Sequence, residues 1–128
     1  MKEWPAELNI CGLTYSVEYV ALDQEVDGEL FDKAQGQITY CPRAIRIMAG
    51  AKPRKRQVDD ILDTLIHEIV HGILEATPVL DGVLMPEQEK VKEHAVTEFC
   101  RLFTDVLVRN GLIVLPKNRP ELTKRTEA

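Results

Sequence analysis

The chain reads as an α+β domain in which an N-terminal antiparallel or mixed sheet precedes two main helices. Three observations predict this. Short apolar runs with period-two alternation and turn residues occupy the first fifty positions. From residue 58 to residue 109 the apolar residues recur with helical spacing. Pro and Gly mark the breaks between these apolar runs, at Gly12, Pro42, Pro78, Gly82, Pro86 and Gly111. With 128 residues, 45% of them hydrophobic and 29% charged, there is material for one core and not for two.

Leu8-Asn-Ile10 and Thr14 to Val20 read as two short strands around a turn at Cys11-Gly12. Residues 21 to 36 are acidic and contain Gly, and read as a loop with at most one ordered turn. Gln37 to Tyr40 and Ala44 to Met48 form a third strand region, broken or bulged at Pro42. Ile45 and Ile47 alternate with Arg46, which predicts a half-buried strand. Ala49 to Arg56 is a basic connector.

The first long helix is expected from Val58 to about Ala76. Asp59 and Asp60 suit the positive end of its dipole, and Pro78 stops it. Ile61, Leu62, Leu65, Ile66, Ile69, Val70, Ile73 and Leu74 cover most of its surface, so it should be central and largely buried. Residues 77 to 86 read as a loop carrying Pro78, Asp81-Gly82 and Pro86. A second helix is expected over roughly Glu87 to Arg109, with Asn110-Gly111 as its C-cap. Its apolar face would be Val91, Ala95, Phe99, Leu102, Phe103 and Val106. Ile113 to Leu115 would make a last short strand or a packed tail, and residues 117–128 a polar, disordered one.

The first helix carries His67-Glu68-Ile69-Val70-His71, an HExxH pentapeptide in uncharged or apolar surroundings with Thr64 three positions before the first His. Residues four apart share a helix face, so the two imidazoles can converge on one metal ion. Glu68 can then reach an activated water as general base, the arrangement of a zinc hydrolase and most often of a peptidase. A bland reading exists: a buried helix whose His residues are merely hydrogen-bonded. Two of the chain's three His in this spacing argue against it, since a buried His pair and Glu need partners that a metal would supply.

Composition narrows the partners. A net charge of −5 disfavours nucleic acid. The basic cluster Lys52-Pro-Arg54-Lys55-Arg56 reads as a solvated loop. No apolar run is long enough to span a membrane, and the first residues show no signal-peptide core, so the cytoplasm is expected. Cys11, Cys41 and Cys100 are odd in number, widely spaced and without a CxxC pair, as for reduced thiols. Any metal must therefore be held by His and carboxylate.

Catalytic zinc usually has three protein ligands and one open position. His71 is not followed by an HxxGxxH continuation, and the second helix offers Glu87, Glu89, Glu93, His94 and Glu98 as the third ligand. Glu93-His94-Ala95-Val96-Thr97-Glu98-Phe99-Cys100 resembles the E-x-E-A-N-x-F-A segment that follows the HExxH helix in gluzincins, particularly the small ImmA/IrrE-like metallopeptidases of phage and prophage genomes. In layout the resemblance covers residues 8–112. It implies a zincin-like metallopeptidase domain over residues 1–116, with one zinc ion on His67, His71 and Glu93. His94 and Glu98 remain the alternatives to Glu93. Val96 and Thr97 depart from the pattern, which has a small residue and then Asn or Asp to orient a ligating imidazole. Asp63 and Glu75, one turn either side of the His pair, are substitutes.

The expected reaction is peptide-bond hydrolysis with Glu68 as base and later proton donor to the leaving amine. The substrate would be a peptide or protein paired with a strand edge, the Arg46-bearing strand being the candidate. Tyr40 or His94 are candidate oxyanion donors. A protein partner or a homo-oligomer would compensate for the small size. The competing expectation is a zinc-binding regulatory or interaction protein of phage type without turnover.

Overall fold

The computed structural model describes residues 3–21, 24–26, 29–31, 35–50, 57–85 and 87–123. It is an α+β arrangement of a four-stranded mixed sheet, a two-stranded ribbon and three helices. Strand β1 (Glu7–Ile10) turns at Cys11-Gly12 into β2 (Leu13–Ala21), and the two pair antiparallel. Cys11 and Gly12 both take positive φ, which the Gly provides without a Cβ penalty. Tyr15, Val17 and Tyr19 of β2 point to the core while Thr14 and Ser16 face solvent.

Residues expected as one loop hold an ordered ribbon, β3 (Gln24–Val26) against β4 (Glu29–Phe31). The region expected as one strand broken at Pro42 is two. β5 (Gly36–Tyr40) and β6 (Arg43–Gly50) pair antiparallel across Cys41-Pro42, and the Thr39 hydroxyl donates to the Pro42 carbonyl at 2.7 Å. Pro cannot donate to a ladder, so the chain reverses there instead of continuing.

The sheet order is β1-β2-β6-β5, with β2 and β6 parallel. This corrects two expectations. The Arg46-bearing strand β6 is interior, and β5 is the edge beside it. Arg46 itself is buried, facing Glu18 of its register partner at 3.6 Å, so β6 is covered on both faces.

Helix α1 (Val58–Ala76) spans the expected range and packs on β5, β6 and β1. Ile61 and Leu65 enter the core of Ile10, Tyr15, Val17, Tyr19, Ile45, Ile47 and Ala49. The expected 77–86 loop contains α2 (Pro78–Leu84), started by Pro at its first position. Helix α3 (Glu89–Arg109) ends at Asn110, with Gly111 at φ +67°. It meets α1 through Val96 and Cys100 against Leu62, Ile66 and Leu74.

The inward face of α3 is not the expected one. Val96, Cys100 and Thr104 are buried, whereas Val91, Phe99, Leu102, Phe103 and Val106 are exposed. Among the described residues after α3 there is no strand, and Ile113 and Leu115 pack on the second cluster. Residues 117–123, expected as part of a disordered tail, lie against the sheet. Tyr19 and Thr123 exchange two hydrogen bonds of 2.8 Å, and Trp4 Nε1 donates to the Asn118 carbonyl at 2.8 Å. This tail covers the part of β2 that β1 is too short to reach. The basic cluster Lys52 to Arg56 and residues 124–128 lie outside the described residues. Among the described residues no helix is long and apolar enough to cross a membrane.

Candidate metal centre

The site begins with the phase of α1. Thr64, Leu65 and Glu68 face inward, which carries His67 and His71 to the rim of that buried face. Their Nε2 atoms lie 3.0 Å apart, and the rings stand edge-to-face at 4.8 Å. Glu93, in the first turns of α3, closes the group. Its Oε1 is 2.7 Å from His67 Nε2 and its Oε2 is 2.9 Å from His71 Nε2. One ligand atom from each of the three lies within 4.8 Å of the others, so His67, His71 and Glu93 could hold a metal ion. His94 and Glu98 are exposed on α3 and stand outside this group.

Two converging imidazole nitrogens and a carboxylate form a donor set of the kind that zinc, a borderline-soft ion, accepts. On a tetrahedral ion with bonds of about 2.0–2.1 Å, donor atoms stand roughly 3.3 Å apart. The observed 2.7–3.0 Å separations therefore need to open by a few tenths of an ångström. The half-exposed Glu93 carboxylate can supply that movement against both rings, and the two Nε2 atoms, already 3.0 Å apart, need the smallest change. The residues present fit the metal.

The environment sets the protonation states. Burial lowers the pKa of His71, although Glu93 opposes it, and this favours the neutral ring that ligates. Glu68 is 6% exposed; burial and then the charge of Glu93 push its carboxyl up to about 8. Burial also raises Asp63, whose Oδ1 is buried without a hydrogen bond, with Thr104 and His67 pulling the other way.

A cavity of about 300 Å³ opens beside the group, lined among others by Gly36, Asp63, Glu68, Thr97 and Cys100. Asp63 and Thr97, considered for orienting an imidazole, thus both face the site, whereas Glu75 is exposed further along α1. Tyr40, at the end of β5, is partly exposed and pushed up to about 12, first by burial and then by Glu75. The thiols of Cys11, Cys41 and Cys100 are free, and burial pushes Cys100 up to about 12.

Gly36 is the residue that motif reasoning missed. A Cβ there would stand 2.6 Å from Thr64 Cγ2 and 3.1 Å from both Cγ and Oε1 of Glu68. The edge strand approaches α1 at the site so closely that a side chain would not fit. A lone Gly opening an apolar strand is the available signal, and it names no partner. Comparison with protein-family models, curated proteins and solved structures yields no match to this chain, so the chemistry rests on the site's own geometry.

Proposed function

We propose that this chain is a zinc-dependent metallopeptidase that hydrolyses peptide bonds with Glu68 as general base. The observation that carries the reading is the convergence of His67, His71 and Glu93 beside a buried Glu68. A structural metal site does not need the carboxylate, and an uncompensated buried acid is costly to keep. The sequence resemblance to ImmA/IrrE-like metallopeptidases points the same way.

When bound, zinc would polarise the scissile carbonyl and acidify a water in the fourth position. The protein's own groups would do the rest. His67, His71 and Glu93 hold the ion, and the depressed pKa of His71 keeps it ready to ligate. Burial pushes the Glu68 carboxyl up to about 8, and a cation on the neighbouring ligands would draw it back down, so that Glu68 would accept a proton from the water and pass it to the leaving amine nitrogen. A substrate main chain would run along edge strand β5, which Gly36 brings close to Glu68. Tyr40 keeps its phenolic proton at neutral pH and could donate to the developing oxyanion.

Metal analysis of untagged protein purified without chelator tests the first half of the reading. Near one zinc per chain supports it, while no bound metal and no thermal stabilisation on adding zinc would reduce the His pair to core packing. The second half rests on Glu68→Gln, which should keep zinc and lose turnover on a peptide mixture. A second reading is a zinc-binding interaction protein without turnover, favoured by the apolar surface that α3 leaves exposed.

A further inference from the structure

Helix α3 turns an unusual face to solvent. Val91 is 46% exposed, Phe99 52%, Leu102 56%, Phe103 43% and Val106 52%. The face it turns inward is poorer, with Val96, Cys100 and Thr104. On a helix free to choose its phase, the larger apolar side chains would go inside. Here Glu93 shares the inward face with Val96 and Cys100, and it meets both His rings only in this rotation. That explanation rests on the metal reading, whereas the exposure of the stripe stands without it.

The stripe is built like a seam. Ala95, Phe99, Leu102 and Val106 are spaced four, three and four residues apart, the pattern with which one helix meets another. Phe99 and Phe103 already stack, with ring centres 5.6 Å apart and planes 13° from parallel. Beside the stripe lie Lys92, Glu98, Asp105 and Arg109, two bases and two acids, of which Lys92 pairs with Asp81 and Arg109 with Asp105, so a second copy meets charges of both signs there.

We propose that the exposed face of α3 is the interface of a two-fold dimer, the occupant being α3 of a second copy in antiparallel orientation. With the axis between Leu102 and Phe103, those two residues face each other across the pair, and Phe99 opposes Val106, large against small. Two half-exposed Phe rings and three half-exposed aliphatic side chains present roughly 350 Å² of apolar surface per chain. Two copies would then remove roughly 700 Å². At an apolar share of about 60–65%, the whole interface reaches roughly 1,100–1,200 Å². That clears the ~1,000 Å² of a specific contact but falls short of the ~1,600 Å² standard, the size of a weak, reversible dimer.

Sedimentation velocity on the full chain, with zinc and with chelator, tests this across roughly 1–200 μM. The expected result is a shift from monomer to dimer within that range in both conditions. Phe99→Lys and Leu102→Lys should each weaken association at least tenfold while leaving zinc content unchanged, and the melting temperature within a few degrees when it is measured below the dimer range, because both side chains are already half in water in the monomer. A wild-type chain that stays monomeric throughout overturns the proposal, as does a dimer that neither variant disturbs. Neither outcome touches the metal reading, which zinc content judges separately.

Discussion

Gly36 gives the sharpest quantitative test of the packing around the candidate site. In Gly36→Ala the new methyl would stand 2.6 Å from Thr64 Cγ2, whereas carbon atoms prefer about 3.5–4.0 Å, so one side must retreat by about 1 Å. Thr64 is poorly placed to yield. It is buried, β-branched, and its hydroxyl donates to the Asp60 carbonyl at 3.0 Å, which favours one rotamer. The 3.1 Å contacts to Glu68 also have to relax. Overpacking of this kind costs about 1–3 kcal/mol. At roughly 3–5 °C per kcal/mol for a chain of this size, the melting temperature should drop by roughly 3–15 °C. Thr64→Ser keeps the hydroxyl and deletes the offending methyl, costing about 1 kcal/mol alone. Combined with Gly36→Ala it should restore about 1 kcal/mol or more relative to the sum of the single changes, since directly touching residues are not additive. Urea unfolding of all four proteins in chelator reads this cycle without reference to function. A Gly36→Ala chain as stable as wild type, or strictly additive changes, would refute the close approach of β5 to α1.

Further expectations concern the chemistry. Glu93→Ala should weaken zinc binding at least about 100-fold in competition with a chromogenic chelator, while His94→Ala and Glu98→Ala leave it within a few-fold; equal effects would move the third ligand elsewhere. Glu68→Gln should retain one zinc and lose turnover by about 10²–10⁴-fold or more, and hydrolysis at the wild-type rate would remove Glu68 as base. Zinc affinity should fall with acid as protons compete for the His nitrogens, but because burial depresses His71, that ring should hold out to lower pH than an ordinary His; a two-dimensional NMR titration of the metal-free protein that finds His71 titrating above the usual His value refutes this sign. Burial raises the Cys100 thiol to about 12, so its protonated form is favoured until the pH climbs through that value. At pH 8 a disulfide reagent should modify the exposed Cys11 and Cys41 quickly and Cys100 only in denaturant, and three fast thiols would contradict its burial.

What could be read from the chain alone was whatever short-range physics dictates. Helix α1 was legible to its ends because Asp59 and Asp60 mark its start, Pro78 its stop, and apolar residues fill the turns between. The His67–His71 pair was legible because helical spacing alone puts both rings on one side. The β1–β2 hairpin was legible at Cys11-Gly12, where the backbone needs positive φ. The remainder depended on groups far apart in sequence. Periodicity shows that α3 has an apolar face but not which side of the helix meets α1; Glu93 lies against two imidazoles there, and Phe99, Leu102 and Phe103 face outward. Alternation identified Ile45 and Ile47 as core but could not reveal that β6 lies inside the sheet, where Arg46 is buried against Glu18. The placement of Glu93, rather than His94 or Glu98, beside the His pair, the edge position of β5 and the close approach at Gly36 were decided by tertiary packing, because each is a distance between elements and no local pattern encodes it.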